Sequence, residues 1–103
     1  MIQGWDELEL EGRLEGLDVV ETLGRDNLVA IARIFHPNAD WVWYIVGGDV
    51  DPDNGDIDFY GMVFSPYDPG GQMGYFSLSQ LEEMPLKVDS KFKPTPIPDV
   101  KKG

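Results

Sequence analysis

The pattern of apolar and polar positions is clearest near the middle of the chain. Residues 41–46 read Trp-Val-Trp-Tyr-Ile-Val, so the odd-numbered side chains form one apolar face of an extended chain and the even-numbered ones form the other. Because both faces are apolar, this pattern predicts a strand inside a sheet. The sheet is either covered on two sides, or covered on one side and partly exposed as a binding surface on the other.

The flanking segments predict further strands and the connections between them. Residues 28–35 form a β-branched apolar run that stops at His36-Pro37-Asn38, as a strand followed by a turn does. Residues 57–64 predict a strand that pairs with 41–46 as an antiparallel hairpin around the loop 47–56. Residues 65–74, with two prolines and three glycines, predict a second loop. The short strand expected after this loop contains Tyr75 and Phe76.

The two ends of the chain predict less regular structure. Residues 5–23 carry a partial helical stripe interrupted by glycines, which predicts one short helix and irregular chain. The run from Ser79 to Glu82 has the form of a capping box before a brief helix through about Met84, which Pro85 ends. Alternating prolines in 92–98 predict an extended edge strand or a polyproline-like segment.

Together these elements predict one α+β domain over residues 1–103, a length that suits a single core. We expect a mainly antiparallel sheet of about four strands centred on 41–46, with one or two short helices covering it on one side. Residues 1–27 form an acidic N-terminal stretch with a possible short helix. Residues 92–103 form an extended tail rich in proline and lysine.

Composition removes several classes of function. The chain has no cysteine, which excludes disulfides, zinc–thiolate sites and thiol catalysis. No apolar run approaches the roughly 18 residues of a membrane span, and the first residues are unlike a secretory signal. We therefore expect a cytoplasmic protein that does not associate with membranes.

Charge is the first positive indication of function. The net charge is −11, and residues 1–86 hold three arginines against seventeen acidic residues. The five lysines all lie in residues 87–103. Such a chain repels nucleic acid and anionic membranes, so direct binding to either is not expected. Either the lysines lie on the acidic body or keep the end soluble, or the body keeps an acidic face for a basic partner.

From Phe35 onward the sequence resembles a bacterial family known as domain of unknown function 2958. The resemblance covers roughly residues 28–100 and rests on an ordered series of motifs. These are Phe35-His36-Pro37, Trp41-Val42-Trp43-Tyr44, Phe59-Tyr60-Gly61, the block from Gly74 to Glu82, and Phe92-Lys93-Pro94-Thr95-Pro96. It implies a small cytosolic protein of plasmids, integrated elements and phages, and it implies no activity, ligand or catalytic residue. The chain departs from the family's pattern in the stretch 6–21, where the family has Leu-Pro-Pro-Leu, and at Lys87-Val88-Asp89, where the family has Glu-Arg-Asp.

The sequence signals for two candidate reaction centres are weak. The aspartates from Asp49 to Asp58 are dense enough to attract calcium, but Asn54 stands where an EF-hand needs glycine and Tyr60 stands where it needs glutamate. A solvated hairpin loop is the favoured interpretation, with adventitious metal binding as the alternative. His36 is the only imidazole, and no Gly-x-Ser-x-Gly elbow accompanies it. We therefore predict no cofactor and no resident metal.

The favoured hypothesis is a non-catalytic module that binds a basic protein, with acidic side chains steering the partner and aromatic side chains anchoring it. One version is a mobile-element regulator or anti-defence protein whose carboxylates stand in for DNA phosphates. The alternative is a small hydrolase or ligand-binding protein with a pocket near His36 and loop 65–74. A third possibility is an accessory subunit that needs its partner to be stable. The expected partner-contacting residues are Glu7, Glu9, Glu11, Glu15, Asp49, Asp51, Asp53, Asp56, Asp58, Trp43 and Tyr60.

Overall fold

Six strands form the main sheet in the computed structural model, which describes residues 1–101. The sheet has the order β1-β7-β3-β4-β5-β6, and every neighbouring pair is antiparallel except β1 with β7. Strands β2 and β8 form a separate antiparallel pair. The strands are β1 Ile2–Gln3, β2 Val29–Ala30, β3 Ala32–Phe35, β4 Val42–Val50, β5 Ile57–Ser65, β6 Asp68–Ser77, β7 Leu86–Val88 and β8 Thr95–Pro96. The predicted α+β class is confirmed, whereas the estimate of about four strands was too low.

The helices are short. The two α-helices are α1, Leu17–Val20, and α2, Leu78–Glu82. Single 3₁₀ turns lie at Asp6–Leu8, Leu10–Arg13, Arg25–Asn27 and Ile97–Asp99. The predicted capping box was placed two residues too late, since Ser77 is the N-cap and exchanges hydrogen bonds with Gln80. Ser79 is engaged elsewhere, with the carboxylate of Asp56.

The predicted hairpin of residues 41–46 with 57–64 is confirmed and is longer than expected. Strand β4 continues through a bulge after Ile45 and pairs as far as Val50 opposite Ile57. Part of the predicted loop 47–56 is therefore strand. Gly48 lies so close to β5 that an added Cβ would sit 2.7 Å from the Asp58 carbonyl oxygen, so this extension depends on glycine.

The prediction of a loop at residues 65–74 was wrong. Only a tight turn at Pro66 and Tyr67 separates β5 from β6, and the expected short strand at residues 75–76 is the end of the ten-residue β6. Pairing with β5 overrides the local preference of the glycines and Pro69 for a loop. At Gly71, the positive φ of 83° and a would-be Cβ contact of 2.7 Å with the Phe64 ring show that glycine is required.

The predicted strand 28–35 is divided in two. The amide of Ile31 donates to the Ile45 carbonyl between the two parts, and β2 turns away to pair with β8. Pairing of Thr95–Pro96 with β2 confirms that part of the predicted tail is extended. The tail then closes into a 3₁₀ turn that buries Ile97, and residues 102–103 of the predicted tail lie outside the described residues.

Both faces of the main sheet are covered, as the first alternative for residues 41–46 has it, and the expectation that short helices cover only one side was wrong. One core cluster contains Trp43, Ile45 and Phe59, and the N-terminal residues from Trp5 to Leu14 pack over it. The other contains Tyr44 and Met62 with Val20, Leu28 and Ile97 from the covering segments. The two apolar faces of β4 demand this, because an uncovered face would leave several large side chains in water. Within residues 1–101, no helix has the length and apolar character needed to span a bilayer.

Candidate functional site

The acidic N-terminal stretch crosses from one face of the sheet to the other at Gly47. Glu15 forms a parallel bridge with Gly47, and its carbonyl accepts a 2.9 Å hydrogen bond from the amide of Gly48. A Cβ at Gly47 would lie 2.6 Å from the Glu15 carbonyl oxygen and 2.8 Å from a methyl carbon of Val20. Only glycine at position 47 allows the Glu15 backbone to lie this close to β4, and this contact places α1 against the sheet.

Carboxylates from α1 and from the β4–β5 hairpin meet beside this crossing. Asp49 lies directly opposite Asp58 in the β4–β5 ladder, so their side chains share one face. An added Cβ at Gly16 would lie 2.7 Å from an Asp18 carboxylate oxygen and 3.2 Å from an Asp49 carboxylate oxygen, which puts those two groups side by side. The amide of Leu17 donates to Asp49 over 3.4 Å.

Two tyrosines continue this surface along the sheet. Tyr60 and Tyr75 are opposite each other in the β5–β6 ladder, and their ring centroids are 5.0 Å apart. Tyr75 is 62% exposed and Tyr60 is half-buried. The Glu21 carboxylate interacts with the Tyr75 hydroxyl and raises the pKa of this phenol, because it stabilises the protonated form. We call this surface the acidic–tyrosine face. It consists of Asp18, Glu21, Asp49, Asp58, Tyr60 and Tyr75.

The loop between β4 and β5 uses several of its aspartates for its own structure. Asp51 accepts a 2.9 Å hydrogen bond from the amide of Asp53. Asp56 accepts from the hydroxyl and amide of Ser79, at 2.8 and 3.0 Å, and from the amide of Ile57 at 2.9 Å. These donors, above all the Ser79 hydroxyl, lower the pKa of Asp56. Asp56 was predicted to contact a partner, but its carboxylate anchors the start of α2.

The remaining predicted residues lie in different places. Glu7, Glu9 and Glu11 are exposed on the segment that covers the opposite face of the sheet, whereas Glu15 is exposed at the crossing and Asp53 at the hairpin loop. The nine predicted acidic residues therefore do not form one continuous patch. Trp43 was a predicted anchor, but it is only 4% exposed and stacks on Trp41 in the core. This burial removes Trp43 from any contact surface.

Few cations neutralise these carboxylates. Within residues 1–101 the one ion pair joins Arg33 to Asp89 over 3.3 Å, and Arg33 also lies over the ring of Phe35. Asp89, the acid of that pair, does not belong to the acidic–tyrosine face. Within residues 1–101, no ion pair neutralises a carboxylate of this face.

The alternative site around His36 is divided between two cavities. One cavity of about 300 Å³ is lined by His36, Asp40 and Arg33, and a second of about 420 Å³ lies beside residues 65–74. Trp41 lines both cavities. The Nδ1 atom of His36 accepts a 3.0 Å hydrogen bond from the amide of Asn38, as in a local turn. Among the described residues, no three histidine or acidic side chains converge in a way that would hold a metal ion.

Sequence reasoning missed three members of the acidic–tyrosine face: Asp18, Glu21 and Tyr75. Asp18 and Glu21 are three residues apart, the spacing that places two side chains on one side of a helix, but the glycines around them left the position of the predicted short helix open. Tyr75 was expected only as part of a short strand and was not predicted to contact a partner.

Comparison of the chain with protein-family models, with curated proteins and with solved structures gives no match. The resemblance to domain of unknown function 2958 therefore stays a prediction, and the residues of the site carry the functional argument.

Proposed function

We propose that this protein is a non-catalytic module that binds a basic protein through its acidic–tyrosine face. The carboxylates steer the partner, and the tyrosine pair gives its lysine or arginine side chains an aromatic surface. Nucleic-acid-handling proteins carry basic surfaces of this kind, so they are the class of partner we propose.

One observation carries the proposal. Tyr75 is a large, mostly exposed aromatic side chain, and it stands among carboxylates that have no cationic partner within residues 1–101. Exposed tyrosines anchor many interfaces, because one ring offers a large contact area and loses little conformational entropy. A tyrosine in a negative field is suited to a cation, which the ring and the carboxylates both attract.

A more specific form of the proposal is a regulator or anti-defence protein of a mobile element. In this form the carboxylates take the place of DNA phosphates on the partner's basic surface. The net charge of −11 and the family resemblance support it.

The test is a pull-down from bacterial lysate with the tagged protein, at low and at raised salt. A face variant carries Asp18→Asn, Glu21→Gln and Asp58→Asn, three exposed acids of the acidic–tyrosine face. A matched control variant carries Asp6→Asn, Asp40→Asn and Glu83→Gln, which are exposed outside the face and make the same change in charge.

We expect the wild type and the control to recover a basic protein at low salt and to lose it as salt rises, because salt screens exposed charges. The face variant should bind that protein at least about tenfold more weakly. Recovery that is equal at both salt concentrations, or equal for the two variants, would contradict the proposal.

A further inference from the structure

Strand β6 is an uncovered edge of the main sheet. It is the last strand in the sheet order, has ten residues and pairs with β5 on one side only, whereas the strand at the other edge has two residues. Proteins commonly protect such edges with lysines or other charges, and no lysine or arginine lies between Arg33 and Lys87. The segment 72–77 is uncharged.

The hydrogen-bonding pattern shows which backbone groups face outward. The amide of Ser77 donates to the side chain of Gln80, so it does not point to β5. In an antiparallel pair, alternate residues direct both their N–H and C=O groups toward the partner strand. The N–H and C=O groups of Tyr75 and Met73 therefore point away from β5 as well, and within residues 1–101 they have no hydrogen-bond partner.

The same two residues point their side chains to the acidic–tyrosine face. Met73 packs with the cluster that includes Tyr60, and the Tyr75 ring lies against Tyr60 and beside Glu21. In an added strand, the residue opposite Tyr75 would place its side chain on this face, about 5 Å from that of Tyr75 between Cβ atoms. A long cationic side chain at that position reaches both the ring and the carboxylate.

We propose that β6 accepts an extended basic segment of the partner as a further strand, with a lysine or arginine opposite Tyr75. This inference rests on the proposed function and adds the mode of binding and the register. Charge favours a basic segment over a second copy of this chain, since two copies would bring together net charges of −11 each. Main-chain hydrogen bonds supply affinity in this mode, and alternate side chains supply specificity.

The test uses a peptide of four Lys-Thr repeats and the same peptide with every backbone amide N-methylated. The methylated peptide keeps the charge and loses all of its amide donors. We expect the unmodified peptide to bind at least about tenfold more tightly, and to slow hydrogen exchange at the amides of Met73 and Tyr75. The protein is unchanged in this comparison, so folding does not affect it.

Two protein variants test the same edge. Tyr75→Ala removes the ring and keeps the outward amide, whereas Tyr75→Pro removes both, and an edge strand tolerates proline at an outward amide. We expect Tyr75→Pro to bind the peptide more weakly than Tyr75→Ala does, with amide spectra showing that both are folded.

If the two peptides bind equally well and both are released at raised salt, strand addition is overturned. The proposal of an acidic binding module is not contradicted by that result. Binding of neither peptide would also overturn strand addition, and the pull-down would then decide the proposed function by itself. Sedimentation that shows a dimer without peptide, with the β6 amides protected, would show that a second copy is the occupant and overturn the inference.

Discussion

Replacement of Gly47 by alanine tests how the acidic N-terminal stretch is held on the sheet. The new methyl group would lie 2.6 Å from a backbone oxygen of Glu15, which cannot rotate away as a side chain does. Overpacking of this kind costs about 1–3 kcal/mol. Loss of the hydrogen bond from Gly48 to Glu15 adds about 1 kcal/mol. We therefore expect Gly47→Ala to lower the free energy of unfolding by about 2–4 kcal/mol, and Tm by about 8 °C or more.

The matched control is Gly74→Ala. Gly74 also lies in a strand, but an added Cβ there would meet no atom within 4 Å. Urea unfolding measures both variants, and hydrogen exchange shows whether the amides of Val20 and Gly48 open first in Gly47→Ala. The interpretation of the crossing would be refuted if Gly47→Ala is as stable as the wild type, or if Gly74→Ala loses as much stability.

Three further substitutions test the core and the hydrogen bonds of the site. Phe59→Ala should cost about 3–5 kcal/mol in urea unfolding, because Phe59 is fully buried between Trp5 and Phe76, and a cost below about 1 kcal/mol would contradict this packing. Asp56→Asn should lower Tm at neutral pH, because the pKa of Asp56 is lowered by Ser79. The stabilisation by the ionised Asp56 carboxylate is fully present above the ordinary Asp pKa of 3.8 and is lost as pH falls through the lowered pKa. The Tm values of the wild type and the variant should therefore converge in acid. A Tm difference that persists there would count against this role. Glu21→Gln should bring the pKa of Tyr75 down toward its ordinary 10.0, as followed by NMR of the ring, and an unchanged titration would show that Glu21 does not act on it.

The sequence could predict the central hairpin because several signals agree there. Alternation from Trp41 to Val46 has the period of a strand, both faces are apolar, and the loop after it is rich in turn residues. The structure places both faces in the core, as such a pattern requires.

Strand β6 could not be predicted in the same way. Its glycines and Pro69 indicate a loop by every local rule, and only the presence of a long β5 beside it makes a strand favourable. This wrong prediction also affected the candidate site. Because the local sequence predicts a loop, it did not reveal that β6 is an edge strand on which Tyr75, one half of the tyrosine pair, is exposed.

The acidic–tyrosine face was recognised only in part for a related reason. Charge counting identified Asp49 and Asp58, but it also included Asp56, whose carboxylate is occupied by Ser79. The position of Glu21 depends on the crossing at Gly47. The sequence signal for this crossing was the pair of glycines, Gly47 and Gly48, that follows the apolar run 41–46. Glycines in a strand mark a close approach of backbone without identifying the segment that approaches.

The most direct test of the central claim measures the affinity of the recovered basic partner at a series of salt concentrations, for the wild type, the face variant and the control variant. If the acidic–tyrosine face holds the partner, the wild type and the control should weaken along the same steep line as salt rises, and the face variant should be weaker at low salt with a shallower slope. Three coincident lines would show that the carboxylates of Asp18, Glu21 and Asp58 do not bind the partner, and would contradict the account.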